Sequence, residues 1–448
     1  MTEPDAGQIS ACTPVSEKCN GVDDDCDGEV DEGLLPQTCG VGECQRVIAS
    51  CEGGAVVTCD PHEGASPEVC DGLDNDCDGT VDEDLLSNIS SDRRITENPA
   101  VSDFVYAAWT GTRFGLAWQD MRDGAGQKGE IYFVPLDPTG QRLAAKDVRV
   151  TSTTTTSAWP ALAWSGESFG LVYSDGSSSN TEVWLQRLTE DGAKIGGPVQ
   201  VSNGNGGSEW PDVVWTGENY GVVWTDRRHS QAEELYFRLM NADGTPATGE
   251  VRVTNDPSKQ QTPILKWSGT EFGLAWTDFR HGDRQIYFRR LSAKGELVGP
   301  EVRVTQTQSD AAWPDLTWNG AGWALVWQDD RDGDVEVYFA RLNAIGQKLG
   351  SDVRITQAPG FSGYASIDWN GYQYGLSWQD DRSEGRPAIY YAAVNAQGIK
   401  NGSDQKISSG TGNSTFTTAL WNGSTYGFAW RDDRDGNTEL YFALVGCP

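Results

Sequence analysis

One phrase recurs seven times in this chain: tryptophan, a small polar residue, glycine, two variable residues, an aromatic residue, then glycine or alanine. The repeat tryptophans, spaced by 51 to 55 residues, are Trp109, Trp164, Trp215, Trp267, Trp318, Trp369 and Trp421. That spacing is the period of a four-stranded propeller blade rather than of a helical or leucine-rich solenoid. One such unit cannot bury its apolar face alone, so the repeats must pack against one another.

The second repeat shows how a blade is built. Residues 160–164 predict a short inner strand, and residues 169–173 predict a second strand after a tight turn. Glycine occupies this turn in all seven repeats because the turn needs a positive φ. Residues 182–188 alternate as a third strand, and residues 199–202 predict the outer strand.

The two ends of the chain complete the pattern. The chain stops after the third strand of the seventh repeat, whereas residues 93–96 have the sequence of an outer strand. We therefore predict an all-β, seven-bladed β-propeller over residues 92–448, closed by this N-terminal strand so that no sheet edge stays open. Residues 85–91 are expected to be a linker, residues 12–84 a Cys-rich module, and residues 1–11 a tether, which could attach the protein to a membrane.

Charge and cysteine usage narrow the class of protein. The net charge is −32, and residues 1–90 hold 22 acidic side chains against only Lys18 and Arg46. A phosphate backbone would be repelled, so nucleic acid is excluded as a partner and cations are favoured. No apolar run is long enough to span a membrane.

Nine of the ten cysteines lie between Cys12 and Cys77, which predicts a disulfide framework formed in an oxidising, extracellular compartment. The tenth is Cys447, which we pair with Cys12 as a hypothesis.

Two acidic loops in this module carry the strongest local motif. Each reproduces the first six positions of a helix-loop-helix calcium loop, with alternate aspartates before a glycine, and carboxylate oxygens at this density favour Ca²⁺. Position 12 is leucine rather than glutamate, so nearby acids must complete the shell. The predicted metal-binding residues are Asp23, Asp25, Asp27, Glu29, Asp31 and Glu32 in the first loop, and Asp74, Asp76, Asp78, Thr80, Asp82 and Glu83 in the second. The alternative is a solvated acidic loop held only by disulfides.

The loops resemble the Cys-rich metal-binding repeats of secreted and surface-attached bacterial proteins. The shared phrase runs from a glutamate two residues before Cys19 or Cys70 to the Val-Asp-Glu that ends each loop. This resemblance implies a bacterial, surface-exposed protein. Some members of that family are linked to copper, but the module contains one histidine and no methionine. We also consider the hypothesis that Cys19 pairs with Cys26, and Cys70 with Cys77.

The propeller repeats suggest ligand-binding positions on one face. Aromatic residues precede six of the repeat tryptophans by five positions: Phe104, Trp159, Trp210, Trp313, Tyr364 and Phe416, with Thr262 in the remaining blade. The loop after the second strand carries an Asp-x-Arg motif, with its arginines at Arg122, Arg228, Arg280, Arg331, Arg382 and Arg434. Both sets belong to the same face, so we expect them to meet. Aromatic rings beside arginine and carboxylates suit sugars.

Structural interpretations compete with this one. The loops resemble the Asp-box turns of sialidase-like propellers, which are structural in that family, and the aromatic residues can wedge between blades. The function we predict is a secreted or cell-surface calcium-binding propeller that acts as a multivalent glycan-binding or adhesive protein. The alternatives are a protein–protein interaction scaffold and a glycoside-active enzyme. The enzyme hypothesis requires one asymmetric pocket with two carboxylates and a perturbed pKa.

Overall fold

The computed structural model describes residues 13–69, 73–79, 81–82, 85, 87–123, 128–177, 180–229, 232–382 and 385–446. The contacts within the chain divide it into two compact units, Met1–Leu85 and Leu86–Pro448. Within the described ranges, no helix combines the length and apolarity needed to cross a bilayer.

The first unit is a small disulfide-linked module. It contains two strand pairs, Gln37–Cys39 with Arg46–Ile48 and Cys51–Glu52 with Ala55–Val56, and the 3₁₀ turn Gly42–Cys44. In contrast, the described residues of its acidic loops form bends and irregular segments rather than strands or helices.

The disulfides of this unit correct the sequence-based hypothesis. Cys19 is bonded to Cys51, and Cys77 is bonded to Cys44, so neither loop is closed on itself. Each bond instead attaches an acidic loop to the segment between the two loops. A further disulfide joins Cys39 to Cys59 within that segment. The proposed partners Cys12 and Cys447, and also Cys70, lie outside the described residues.

The second unit is a seven-bladed propeller of antiparallel four-stranded sheets, which confirms the predicted fold class. The inner strands are Ser102–Trp109, Thr156–Trp164, Ser208–Trp215, Gln260–Trp267, Ala311–Trp318, Ser362–Trp369 and Ser414–Trp421. The second strands are Phe114–Asp120, Phe169–Ser177, Asn219–Asp226, Glu271–His281, Gly322–Asp332, Gln373–Asp380 and Tyr426–Asp432. The third strands are Glu130–Leu136, Asn180–Leu188, Glu234–Asn241, Asp283–Ser292, Asp334–Asn343, Ala388–Asn395 and Glu439–Gly446. The outer strands of the first six blades are Val148–Arg149, Lys194–Gln200, Val251–Arg252, Leu297–Arg303, Lys348–Arg354 and Lys400–Lys406.

The seventh blade receives its outer strands from the N-terminal side of the propeller. Arg93–Arg94 pairs with the last strand so that Arg94 lies opposite Tyr441. Ser87–Asn88, within the expected linker, pairs further along the same strand. Asp92 accepts a hydrogen bond from Arg434 Nη1 at 2.7 Å. Residues from both ends of this unit therefore share one sheet.

Glycine and aromatic residues hold neighbouring blades together. A Cβ on Gly273 would lie 2.5 Å from the Trp323 ring of the next blade, and one on Gly170 would lie 2.4 Å from Tyr220. The repeated aromatic residue fills the space left by the missing Cβ, which gives the close packing of a protein interior. Gly427 faces Phe114 in the same way, so the seventh blade packs against the first.

Candidate functional site

The acidic loops of the first unit wrap their backbone around inward-pointing carboxylates. Asp23 Oδ1 accepts from the backbone N–H of Cys26 at 2.6 Å, and Asp23 Oδ2 accepts from Gly28 at 3.0 Å. Asp25 Oδ1 accepts from the N–H of Asp27 at 3.1 Å. The second loop repeats the last two of these bonds at the equivalent positions. Asp23 and Asp25 in the first loop, and Asp74 and Asp76 in the second, are thus held on the inside of each loop.

A glutamate before each loop organises it, and sequence reasoning did not assign it a role. Glu17 accepts hydrogen bonds from the backbone N–H groups of Asp24, Asp25 and Asp31 at 2.7 to 3.0 Å. Glu68 makes the three equivalent bonds in the second loop, at 2.5 to 2.8 Å. The signal was present, because both glutamates belong to the phrase shared with the metal-binding repeats.

Three groups of carboxylates bring oxygens within 4.8 Å of one another and could hold a cation. They are Asp23 with Asp25 and Asp27, Glu17 with Asp25 and Glu32, and Glu68 with Asp74 and Asp76. The predicted ligands Glu29, Asp31, Asp78 and Asp82 are not in these groups. Asp31 instead accepts from the backbone N–H groups of Asn20 and Gly21. Thr80 and Glu83 lie outside the described residues.

The donor atoms fit a hard cation. Glu32 Oε2 and Asp74 Oδ1 are buried and lack a hydrogen-bond partner in the described part of the chain, and Asp74 is only 5% exposed. Buried carboxylate oxygens without donors are costly unless a cation neutralises them. Each group contains carboxylates alone, and the described cysteines are in disulfides.

The six propeller arginines occupy what we call arginine sockets, each formed by the loop aspartate, a third-strand tyrosine and, on the outer-strand side, a further acid. In the fourth blade, Arg280 donates to Asp278 from Nε at 2.8 Å and from Nη2 at 2.6 Å. Its Nη1 donates to Glu301 at 2.8 Å, and its guanidinium lies 4.4 Å above the Tyr287 ring. The same arrangement holds for Arg122, Arg228, Arg331, Arg382 and Arg434.

The predicted meeting of arginine and aromatic sets does not occur. Within the described residues, each arginine contacts carboxylates and a tyrosine of its own sheet. These partners occupy the guanidinium. The aromatic residues instead turn towards one another on the propeller axis. The two sets lie at different distances from the propeller axis, because the sockets are on the second to outer strands and the aromatic residues are on the inner strands.

These residues form what we call the axial aromatic cluster. Trp159 and Trp210 stack at 4.8 Å between ring centroids, Trp313 lies 5.3 Å from Tyr364, and Tyr364 lies 4.2 Å from Phe416. Phe104 contacts three of its members. All are half-buried.

The cluster stands on strained backbone. All seven positions, including Thr262, have φ between 49° and 55°, and each inner strand has a register shift there. A left-handed conformation costs a non-glycine residue about 1 kcal/mol or more. Because the same strained conformation recurs in every blade, we infer that it is needed to point these side chains towards the axis.

Below the cluster, one cavity of about 220 Å³ lies on the axis and breaks the seven-fold symmetry. Its lining includes the aromatic cluster, Asp212, Lys266 and Asp315. Asp212 Oδ2 accepts from the backbone N–H of Leu265 at 2.7 Å, and Asp315 Oδ2 accepts from that of Ile367 at 3.0 Å. Each carboxylate thereby satisfies an inner-strand amide of the following blade.

The electrostatics of this cavity are perturbed. Burial raises the pKa of Asp212 to about 6. Burial lowers the pKa of Lys266, but Asp315 and Asp368 outweigh it and raise that pKa above its usual value. Among the described residues, Lys266 Nζ makes no hydrogen bond and no ion pair within 4.0 Å. Its ammonium is therefore available to a ligand in the cavity.

Sequence reasoning did not identify this polar group. Asp212 and Asp315 each follow a Trp-Pro pair, and Lys266 and Asp368 immediately precede repeat tryptophans. Most other blades carry uncharged residues at these positions. Departures from the repeat consensus were the available signal, but only the closed ring brings them together.

Comparison with known proteins supports the motif of the first unit. A family model named Cu-binding_MopE and described as "Putative metal-binding motif" matches residues 15–32 and 62–83, which confirms the resemblance of the acidic loops. No curated protein matches the sequence.

Several solved structures are similar to the propeller. A subtype N10 neuraminidase-like protein of A/little yellow-shouldered bat/Guatemala/060/2010 is 8% identical, with 81% of this chain and 100% of that chain covered at a TM-score of 0.46. A neuraminidase-like protein from A/bat/Guatemala/164/2009 is 9% identical, with 85% and 96% covered at 0.49. A thermostable family-43 glycoside hydrolase is 11% identical, with 59% and 98% covered at 0.37. At these identities and TM-scores the likeness carries no argument about this chain.

Proposed function

We propose that this chain is a secreted or cell-surface binding protein whose propeller holds a glycan at the axial cavity. The axial aromatic cluster, built on strained backbone above a polar cavity, is the observation that carries this proposal. Sugar C–H groups stack on aromatic faces, and sugar hydroxyls can bond the carboxylates and the ammonium below them. One axial cavity gives one site for each propeller, in place of the several sites expected from the repeats.

A glycan array probed with the intact protein, with and without chelator, tests this function. Trp313→Ala should abolish binding because Trp313 contacts three other rings of the cluster and lines the cavity. Trp421→Ala is the matched control, since Trp421 lies at the far end of an inner strand, outside the aromatic cluster and the cavity lining, and should leave binding unchanged. Glycan binding that survives Trp313→Ala would contradict the axial site. A protein partner lost in Trp313→Ala, without any glycan, would favour the scaffold.

We further propose that the acidic loops bind Ca²⁺. Oxygen-only groups and the two unpartnered carboxylate oxygens support a hard cation over copper, which prefers imidazole or sulfur ligands. Calorimetric titration of the intact protein with Ca²⁺ and with Cu²⁺ compares the two metals directly. Asp25→Asn should weaken Ca²⁺ binding because Asp25 belongs to two groups, whereas Glu29→Gln, outside those groups, is the control. Tighter binding of copper would refute this assignment.

A glycoside-active enzyme is the second candidate. It is favoured by one observation: Asp212, with its raised pKa, shares the cavity with the carboxylate of Asp315. A raised pKa suits a general acid, and the second carboxylate suits a base or nucleophile. Array ligands incubated with the protein and analysed by mass spectrometry would reveal cleavage. Cleavage lost in Asp212→Asn with binding retained would establish the enzyme, and intact ligands would leave a binding protein.

A further inference from the structure

The second blade lacks the arginine that fills the socket in the other six. Its loop reads Asp175, Gly176 and Ser177, so a serine stands where the others have arginine. On the outer strand, Pro198 replaces the acid that pairs with the arginine elsewhere. On the third strand, Trp184 replaces the tyrosine under the guanidinium, opposite Tyr173 in the ladder.

The aspartate and the aromatic residue of this socket are more exposed than those of the filled sockets. The loop aspartates of the six filled sockets are at most 2% exposed, and their tyrosines are at most 7% exposed. Asp175 and Trp184 are instead both half-buried. They lie on the same face of the sheet, in adjacent ladder positions, because Asp175 pairs with Glu182 and Tyr173 with Trp184. The missing arginine side chain thus leaves a carboxylate and an indole face exposed side by side.

The aspartate is held in place without a counter-charge. Thr153 Oγ1 donates to Asp175 at 2.9 Å and Thr155 Oγ1 at 2.6 Å, while Ser157 donates to it as well. These neutral donors fix the carboxylate and leave its charge uncompensated. Neither Asp175 nor Glu182 has an ion pair with any described residue. A groove lined by Thr155, Asp175, Glu182 and Trp184 opens at this point.

We propose that the second blade binds a guanidinium group from outside the chain, that of an arginine side chain. The six filled sockets show the required geometry: each guanidinium lies 4.1 to 4.6 Å above an aromatic ring and forms paired bonds with the aspartate. Trp184 offers a stronger cation–π surface than tyrosine does. The planar fork of arginine matches a carboxylate in a way that the lysine ammonium does not. This inference is independent of the axial site.

Titration of the intact protein with N-acetylarginine amide, measured by calorimetry and, in variants that keep Trp184, by its indole NMR signal, tests the proposal. The lysine analogue should bind at least about tenfold more weakly, and the neutral citrulline analogue should not bind. Free arginine and an arginine-containing peptide distinguish a metabolite from a protein side chain, because the free carboxylate should be repelled by Asp175 and Glu182. Equal binding of the arginine and citrulline analogues would overturn the proposal.

Three variants and one control variant complete the test. Asp175→Asn and Trp184→Ala should each weaken binding at least about tenfold. Ser177→Arg should fill its own socket, abolish binding and raise the melting temperature. Ser351→Arg places the same residue on the exposed outer strand of the fifth blade and should change neither. Undiminished binding by the Ser177→Arg variant would show that the ligand site is not the vacant socket.

Discussion

Replacing Arg434 with alanine should destabilise the propeller by about 3 kcal/mol. Asp432 is 1% exposed and accepts from Arg434 Nε at 2.9 Å, from Nη2 at 2.6 Å and from Ser414 Oγ at 2.6 Å. Removing one partner of a buried ion pair costs about 3–5 kcal/mol because the other charge stays buried. The Arg434 side chain is 14% exposed, so water can reach the gap and the lower limit applies.

Differential scanning calorimetry and urea unfolding measure this loss. For a cooperative unit as long as the propeller, a loss of about 3 kcal/mol lowers the melting temperature by about 4 °C. Arg386→Ala is the matched control: Arg386 is exposed, makes one bond to the Thr411 carbonyl, and should change stability by less than about 0.5 kcal/mol. Adding Asp432→Asn to Arg434→Ala should restore part of the loss, because the buried charge disappears. If Arg434→Ala is as harmless as the control, the sockets do not stabilise the fold.

The same pair gives a pH dependence of known sign. Burial raises the pKa of Asp432, but Arg434 and Ser414 outweigh it and hold the pKa below its usual value. A lowered native pKa stabilises the fold above the unfolded value of about 4, and the stabilisation disappears as the pH falls through the native pKa. The stability difference between wild type and Arg434→Ala should therefore shrink below about pH 4. A constant difference in urea unfolding across this range would contradict the assignment.

Three further predictions concern other parts of the chain. Burial keeps the pKa of Asp212 near 6, so its stabilising contribution is present at low pH and lost between about pH 4 and pH 6. Asp212→Asn should therefore gain about 2–3 kcal/mol relative to wild type over that interval in urea unfolding, and a pH-independent difference would refute the buried carboxylate. Deleting residues 92–97 should lower the calorimetric melting temperature by more than Arg434→Ala does; an unchanged melt would show that the N-terminal strand is dispensable. Chelation should increase amide hydrogen exchange in residues 12–84 and leave the propeller melt unchanged, and joint loss of both would show that the units are coupled.

Much of the fold was readable from the sequence because strand alternation and turn glycines are local and repeat seven times. The acidic loops were equally predictable, since the carboxylates of each loop lie within a few residues of one another. Cysteine pairing was not, because many pairings satisfy the same spacing, and the loops proved to be joined to an intervening segment through Cys19–Cys51 and Cys44–Cys77.

The sequence by itself determined the number of blades, their strand order and the presence of a metal-binding motif in the first unit. Only the tertiary structure decided that the aromatic residues meet on the axis. It also decided that the arginines bind carboxylates of their own sheets, and that Lys266 lines one cavity together with Asp212 and Asp315. The physical reason is separation along the chain. Residues about fifty positions apart become neighbours only when the ring of blades closes. The local sequence pattern therefore does not predict which side chains meet on the axis.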